Sequence, residues 1–446
     1  MLLGSYFFYG WWDWRFLFLL IGVSALNFYL GIKISKSSSD KWSRIYLNIG
    51  LFQGIGGLVY FKYFNFFITS FKQSFAAFGM NLDIHTLNII LPLGISFFTF
   101  RTISYLVDVE NGKTEACTDA LTFFNYVSFF PSLLSGPIDK ARDFIPQLEK
   151  KRVFKYETGV DGLKQILWGL FKKLVIADNC GRIVNQVFAN FELMPSSSLW
   201  LGMFLYGVQL YTDFSGYSDM AIGISRLLGF DIYKNFDFPF FAQSIPEYWR
   251  KWHISLTSWL TEYVFTPLSF QFRKYGKLGV ILAIIINFVI CGIWHGANWT
   301  YVLYGFVHGL FFIPAILNDT FNKNRKTDLN RNFPTLTELF NILTTFIPVL
   351  FTFILFKSES VSQAFKYYAK MFSGNFLSAP VTVPIYVYGL ILYFFLIEYK
   401  GRGQDYAIKN TFAKFPIVFR LLFYFFLITT IFLFSASEQQ FIYFQF

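Results

Sequence analysis

Cysteine and histidine are scarce in this chain of 446 residues, and so is charge. The three cysteines, Cys117, Cys180 and Cys291, lie far apart, which excludes a disulfide framework or a metal site of regular spacing. Imidazole chemistry is confined to His85, His253, His295 and His308. Charged residues make up 15% of the chain against about 25% in soluble domains, so the two or three soluble domains that length alone would suggest are excluded. The start lacks the basic segment and small-residue cleavage site of a secretory signal. There is no GxSxG nucleophile elbow, no glycine-rich phosphate loop and no HExxH zinc site. Repeats of fixed period are absent as well.

What is present is apolar. Hydrophobic residues reach 54%, phenylalanine alone numbers 62, and several runs approach the ~20 residues that cross a bilayer. The expected fold is an all-α integral membrane protein. It is a polytopic bundle of roughly ten or eleven helices with re-entrant and interfacial elements, forming a single membrane-embedded domain over residues 1–446. The net charge of +11 gathers in short loops between apolar spans. That distribution suits membrane topology and contact with anionic lipid, not nucleic-acid binding.

The first full span is expected at 16–34, and a second at 45–64 holds Gly54, Gly56 and Gly57 for close helix contact. Lys72 makes 66–78 an expected interfacial helix, and Lys172 and Lys173 suggest the same before any crossing in 162–191. Span 87–107 carries Arg101, which must face protein or a wet cavity. Residues 120–138 contain Pro131, Ser132, Ser135, Gly136 and Pro137, which break a helix. An ordinary crossing there would also place the basic stretch 140–155 outside. A re-entrant element satisfies both facts, because broken backbone is tolerated only where protein or a cavity covers it. Further spans are expected at 199–228, at 280–290 and 302–316 as a hairpin, and at 336–356, 383–397 and 417–434. The basic loops 323–331 and 400–414 fall on the cytoplasmic side, which leaves 441–446 at the outer face.

Residues 247–299 concentrate the unusual chemistry. His295 stands at the end of the apolar run 280–290, where an ionisable group is expensive and marks either a function or a hydrogen bond between packed helices. His253 follows Arg250, Lys251 and Trp252. Positioning a polar group, acid–base work and a plain structural role at the interface all fit that setting. For His308, thirteen residues beyond His295, packing between helices is the simpler reading. Asp213 and Asp219 are six residues apart, so they need not share a helical face. They either line a polar tunnel and orient a histidine, or pair with a buried cation such as Arg101.

The signatures WRKWHISL (249–256) and GIWHGANW (292–299) resemble the bacterial branch of the membrane-bound O-acyltransferase (MBOAT) family. The nearest likeness is the subfamily that contains the membrane subunit of alginate O-acetyltransferase. SYFFYGWWDWRFL (5–17), LPLGISFFTF (91–100), FFPSLLSGPI (129–138), YTDFSGYSDMAIG (211–223) and FIYFQF (441–446) extend the resemblance in one order over nearly the whole chain.

The resemblance implies an O-acyltransferase of the bacterial cytoplasmic membrane. It would pass an acyl group, acetyl in this branch, from a coenzyme A thioester at the cytoplasmic face toward hydroxyls of an extracytoplasmic polysaccharide or cell-wall polymer. Acyl-coenzyme A is then a substrate, with no resident cofactor or metal, and a secreted or membrane-anchored acetyltransferase- or esterase-like protein is the implied partner. In the WHG setting His295 is implied as the base that takes the hydroxyl proton, a task suited to neutral imidazole near pH 7. His253 is implied as its companion. Substrate-binding or tunnel candidates are Asp213, Tyr217, Asp219, Trp249, Arg250, Trp252, Glu262, Trp294 and Asn298, and the cations of the run 249–252 suit thioester phosphates, a lipid headgroup, or both. The chain departs from the family where Thr261 replaces an arginine and Glu262 an aspartate, and it begins just inside a hydrophobic segment that usually precedes SYFFYGWW. Rival readings are D-alanyl transfer to teichoic acid from a carrier protein, a transporter or polymer exporter, and a non-catalytic scaffold. FIYFQF favours the acetylating branch.

Overall fold

The computed structural model describes residues 1–323, 331–436 and 439–442. Most of the basic loop 323–331 and the last four residues of FIYFQF, Phe446 included, therefore lie outside the described residues. Among those described, every regular element is a helix. Five helices are long and apolar enough to cross a membrane: Trp14–Ser35, Arg273–His295, Trp299–Leu317, Leu336–Lys357 and Ile417–Phe434. The chain is an all-helical, multi-pass membrane protein. Its helices group into two compact units, Met1–Phe154 with Gly229–Tyr233, and Lys155–Leu228 with Lys234–Phe446.

In the first unit, Asp13 ends the aromatic helix Leu2–Trp12 and starts Trp14–Ser35, its carboxylate accepting from the Arg15 N–H at 3.0 Å. The helix Asp40–Leu58 does not stop where a separate interfacial helix was expected. It continues through a π-helical turn, Val59–Tyr63, into Phe64–Ala76, and Lys72 donates to the Ile84 carbonyl at 3.0 Å. Of the three glycines expected to allow close contact, Gly54 meets Thr99 and Ile103, while Gly56 and Gly57 face open space. The expected span 87–107 is helical only from Ile95 to Glu110, after Gly94 in the left-handed region, and is buried on almost every side.

The segment 120–138 is broken as expected. Ala120–Ser128 ends at extended Phe129, a single turn Phe130–Leu133 follows, and no regular structure runs on to Lys140. A broken backbone leaves carbonyls without helical partners. Buried Arg101 supplies them. Its guanidinium donates to the carbonyls of Tyr126 (3.4 Å), Val127 (3.5 Å), Ser132 (3.5 Å) and Pro137 (3.2 Å), and also to the Ser132 hydroxyl. Its charge meets Asp139 at 3.5 Å. The fork of N–H groups on one arginine suits this task better than a lysine would.

In the second unit, Tyr156–Leu170 continues through the π-helical turn Phe171–Ala177 into Asp178–Ala189 and packs antiparallel on the 32-residue helix Ser196–Leu227. Gly162 faces Gly223 and Gly169 faces Gly216 so closely that a Cβ on Gly169 would lie 2.6 Å from the Gly216 carbonyl oxygen. This close approach corrects the interfacial reading of the two lysines. Lys172 is buried and meets Asp219 at 2.6 Å, and Lys173 meets Asp213 at 2.9 Å. Successive helical residues point about 100° apart, and a six-residue step turns the facing helix by a similar angle, so each lysine finds one carboxylate.

Candidate active site

The helix Gly276–His295 and its successor Trp299–Phe311 form the expected hairpin. Gly292 lets their backbones touch, since a Cβ there would sit 2.1 Å from the Tyr301 carbonyl oxygen. Asn298 caps the second helix by accepting from the Thr300 N–H at 3.0 Å, and its amide donates to the Glu359 carbonyl at 2.7 Å. The hairpin thereby fixes His295 as the last residue of its helix. The ring is buried among Trp294 (5.1 Å between centroids), Phe356 (4.9 Å) and Tyr304 (6.1 Å), and its Nε2 lies 3.9 Å from the Cys291 sulfur.

His253 comes from the link between the helices Ile245–Lys251 and Ile254–Leu260. Its backbone is left-handed, with φ 44°, and its ring is buried edge-on to Phe214 at 4.6 Å. Trp294 lies 5.6 Å from the His253 ring and adjoins His295, so one indole touches both imidazoles. Burial first, and then the neighbouring His295, hold the His253 imidazole well below its usual range, which keeps it neutral near pH 7. The two histidines forty-two residues apart in sequence thus share one buried, aromatic-walled place.

The other candidates divide. Trp252 joins an aromatic cluster with Phe236 (5.1 Å) and Tyr248 (5.5 Å). Trp249 points elsewhere, donating from its indole N–H to His308 Nδ1 at 3.1 Å. Arg250 is exposed and donates to the Phe321 carbonyl at 3.2 Å. Glu262 and Arg250 line one open groove of about 380 Å³ with Thr257, Thr261 and Thr266. Asp213 and Asp219 pair with Lys173 and Lys172, so the buried cations that meet them are lysines of the neighbouring helix. Asp213 also accepts from the Ile442 N–H at 2.9 Å, and Tyr217 stacks on Phe441 at 4.9 Å. The start of FIYFQF is therefore bound to the same helix as both carboxylates.

Residues absent from the sequence-based candidates complete the surroundings. Glu398 accepts from Tyr211 at 2.6 Å and from Trp168 at 3.1 Å, beside the Lys172–Asp219 pair. Asn235 contacts the segment that carries His253. A lone asparagine among the aromatics of 230–241 was the only sequence signal for it. Among the described residues, no group of three His, Cys, Asp or Glu side chains is arranged to hold a metal.

Comparison with known proteins gives the class of this multi-pass helical protein. The model of MBOAT, the membrane-bound O-acyltransferase family, matches residues 98–356, and the chain belongs to that family. It is therefore an O-acyltransferase that uses an acyl donor. The chain is 34% identical over 416 residues to the "Probable alginate O-acetylase AlgI" of Pseudomonas aeruginosa, covering 91% of this chain and 76% of that one. It is 35% identical over 336 residues to the peptidoglycan O-acetyltransferase of Helicobacter pylori, covering 70% and 62% respectively. A teichoic acid D-alanyltransferase from Streptococcus thermophilus is 30% identical over 292 residues, 59% of this chain and 68% of its own.

Proposed function

We propose that this protein, in a bacterial cytoplasmic membrane, moves an acetyl group from coenzyme A toward hydroxyls of an extracytoplasmic polysaccharide or cell-wall polymer. The observation that carries the reading is the convergence of His253 and His295 on Trp294 in one buried place. His295 is the general base. It takes the acceptor hydroxyl proton as the oxygen attacks the thioester carbonyl, the C–O bond forms, the C–S bond breaks, and the thiolate leaves with a proton. His253, neutral and adjacent, orients the acyl carbonyl or its oxyanion without adding a repelling charge.

Arg250, at the groove that also holds Glu262, is suited to the phosphates of the donor, and Trp252 and Trp294 to walls of the acyl path. Asp213, Asp219 and Tyr217 support that path by fixing the long helix and the C-terminal segment; Asn298 fixes the hairpin. The acetyl and polymer assignments draw support from the relatives named for alginate and peptidoglycan acetylation. A secreted or membrane-anchored acetyltransferase- or esterase-like protein completes transfer. A membrane preparation that retains the acceptor polymer and the partner, offered labelled acetyl-coenzyme A and separately a D-alanyl carrier protein, tests the donor. Label transfer from acetyl-coenzyme A alone is the expected result. Transfer only from the carrier would replace this reading by D-alanylation, and transfer from neither would favour a transporter or scaffold.

A further inference from the structure

His253 is one of three non-glycine residues with positive φ among the described residues. On a left-handed backbone any Cβ crowds the following carbonyl oxygen, and a non-glycine residue persists there when its surroundings impose the conformation. The constraint here is a short segment of the same unit. The Ile254 N–H, immediately after His253, donates to the Asn235 carbonyl at 2.8 Å, and the Asp237 N–H donates to the Lys251 carbonyl at 3.0 Å. These two backbone bonds grip the turn on both sides of the histidine. The Asn235 side chain adds two more. Its Oδ1 accepts from the Ser255 hydroxyl at 2.6 Å, and its Nδ2 donates to the Ser218 hydroxyl at 3.1 Å on the helix Ser196–Leu227. Asn235, Ser218 and Ser255 are all fully buried or nearly so. The same long helix carries Phe214, whose ring meets the His253 imidazole.

We propose that Asn235 is a positioning residue for His253: it ties the left-handed turn to the helix Ser196–Leu227 and so aims the imidazole at Trp294 and His295. The proposal rests on the reading of His253 as part of the acyl-transfer site. An amide is suited to the place because it accepts on one side and donates on the other, whereas a carboxylate, which only accepts, or an aliphatic side chain of similar size would lose at least one bond. The buried bonds hold the ring within the tolerance that catalysis needs, where a misplacement of about 1 Å is enough to cost about 100-fold in rate.

The test uses the full-length protein in detergent or liposomes with acetyl-coenzyme A as donor. Asn235→Ala is expected to lower kcat about 10-fold or more with KM nearly unchanged, because positioning affects the chemical step more than binding. Ser255→Ala moves kcat in the same direction by less, and Ser255→Thr, which keeps the hydroxyl, restores it. Imidazole NMR with ¹⁵N-labelled histidine gives a readout independent of activity. In Asn235→Ala the His253 signals shift while those of His308 stay in place. Wild-type kcat together with unmoved His253 signals would overturn the proposal, in Asn235→Ala or, if that variant does not fold, in Ser255→Ala. If His253→Ala itself transfers at the wild-type rate, the catalytic reading of His253 fails, while the NMR shift still decides whether Asn235 positions it.

Discussion

Two buried histidines on consecutive helices of one hairpin, His308 and His295, live in opposite chemical settings. His308 Nδ1 accepts from the Trp249 indole at 3.1 Å, which leaves Nε2 to donate to the Thr352 hydroxyl at 2.9 Å. Both nitrogens and one tautomer are fixed by packing, and no proton can be taken up without breaking a bond. His295 ends its helix among aromatic rings and shares Trp294 with a second imidazole. The contrast teaches that two equally buried histidines can differ in their walls: hydrogen-bonding side chains hold His308, while aromatic rings and a second imidazole surround His295.

The comparison is broken most forcefully at His295. His295→Ala should reduce initial acyl-transfer rate by about 10²–10⁴-fold, the usual range for loss of a general base, with normal yield of monodisperse protein. Rates near wild type would move His295 into the class of His308. The ion-paired carboxylates sharpen the contrast from the side of stability. Asp219→Ala strips buried Lys172 of its closest anion, a kind of loss that costs about 3–5 kcal/mol. Nearby Glu398 keeps the expected cost at the low end. Thermal unfolding in detergent should fall accordingly, with transfer per folded molecule largely kept; an intact melting temperature with lost transfer would instead make Asp219 part of the acyl path.

His308→Ala should cost about 1–3 kcal/mol through the two lost hydrogen bonds, and leave transfer nearly unchanged. The smallest effect concerns pH. His253 has its folded pKa below the unfolded value, so the folded state resists a proton that the unfolded state accepts. Stability from this group is complete above the unfolded pKa of about 6.5 and is lost as pH falls below it, by at most about 1.4 kcal/mol per pH unit. Between pH 7 and 5.5 the wild type should lose more thermal stability than His253→Gln; equal losses would place the titration elsewhere.

Much of this was legible in the sequence. The apolar runs located the hairpin and the late helices, and Pro131, Gly136 and Pro137 announced the break in 120–138. The WHG and WRKWHISL stretches locate both histidines, and His308 makes the contacts between helices that its position predicts. Partners were less legible. Lys172 and Lys173 read as interfacial because a charge in an apolar helix carries no sign of the carboxylate that awaits it, and that match depends on the Gly169–Gly216 approach. The continuity of the helix through Val59–Tyr63 was hidden for a related reason: a π-helical turn has no composition signal as strong as proline. Arg101 was expected to be buried, but its service to five groups of a broken segment is a property of tertiary geometry.

The central claim is that His253 and His295 form one site, and a double-mutant cycle on acyl transfer tests it most directly. Residues that act as a unit are not additive. Initial rates from acetyl-coenzyme A would be measured for His253→Ala, His295→Ala and the double variant, normalised to folded protein. The account predicts that the double variant is about as slow as the slower single one. A double variant slowed by the product of the two single effects would show two independent roles and contradict a shared site.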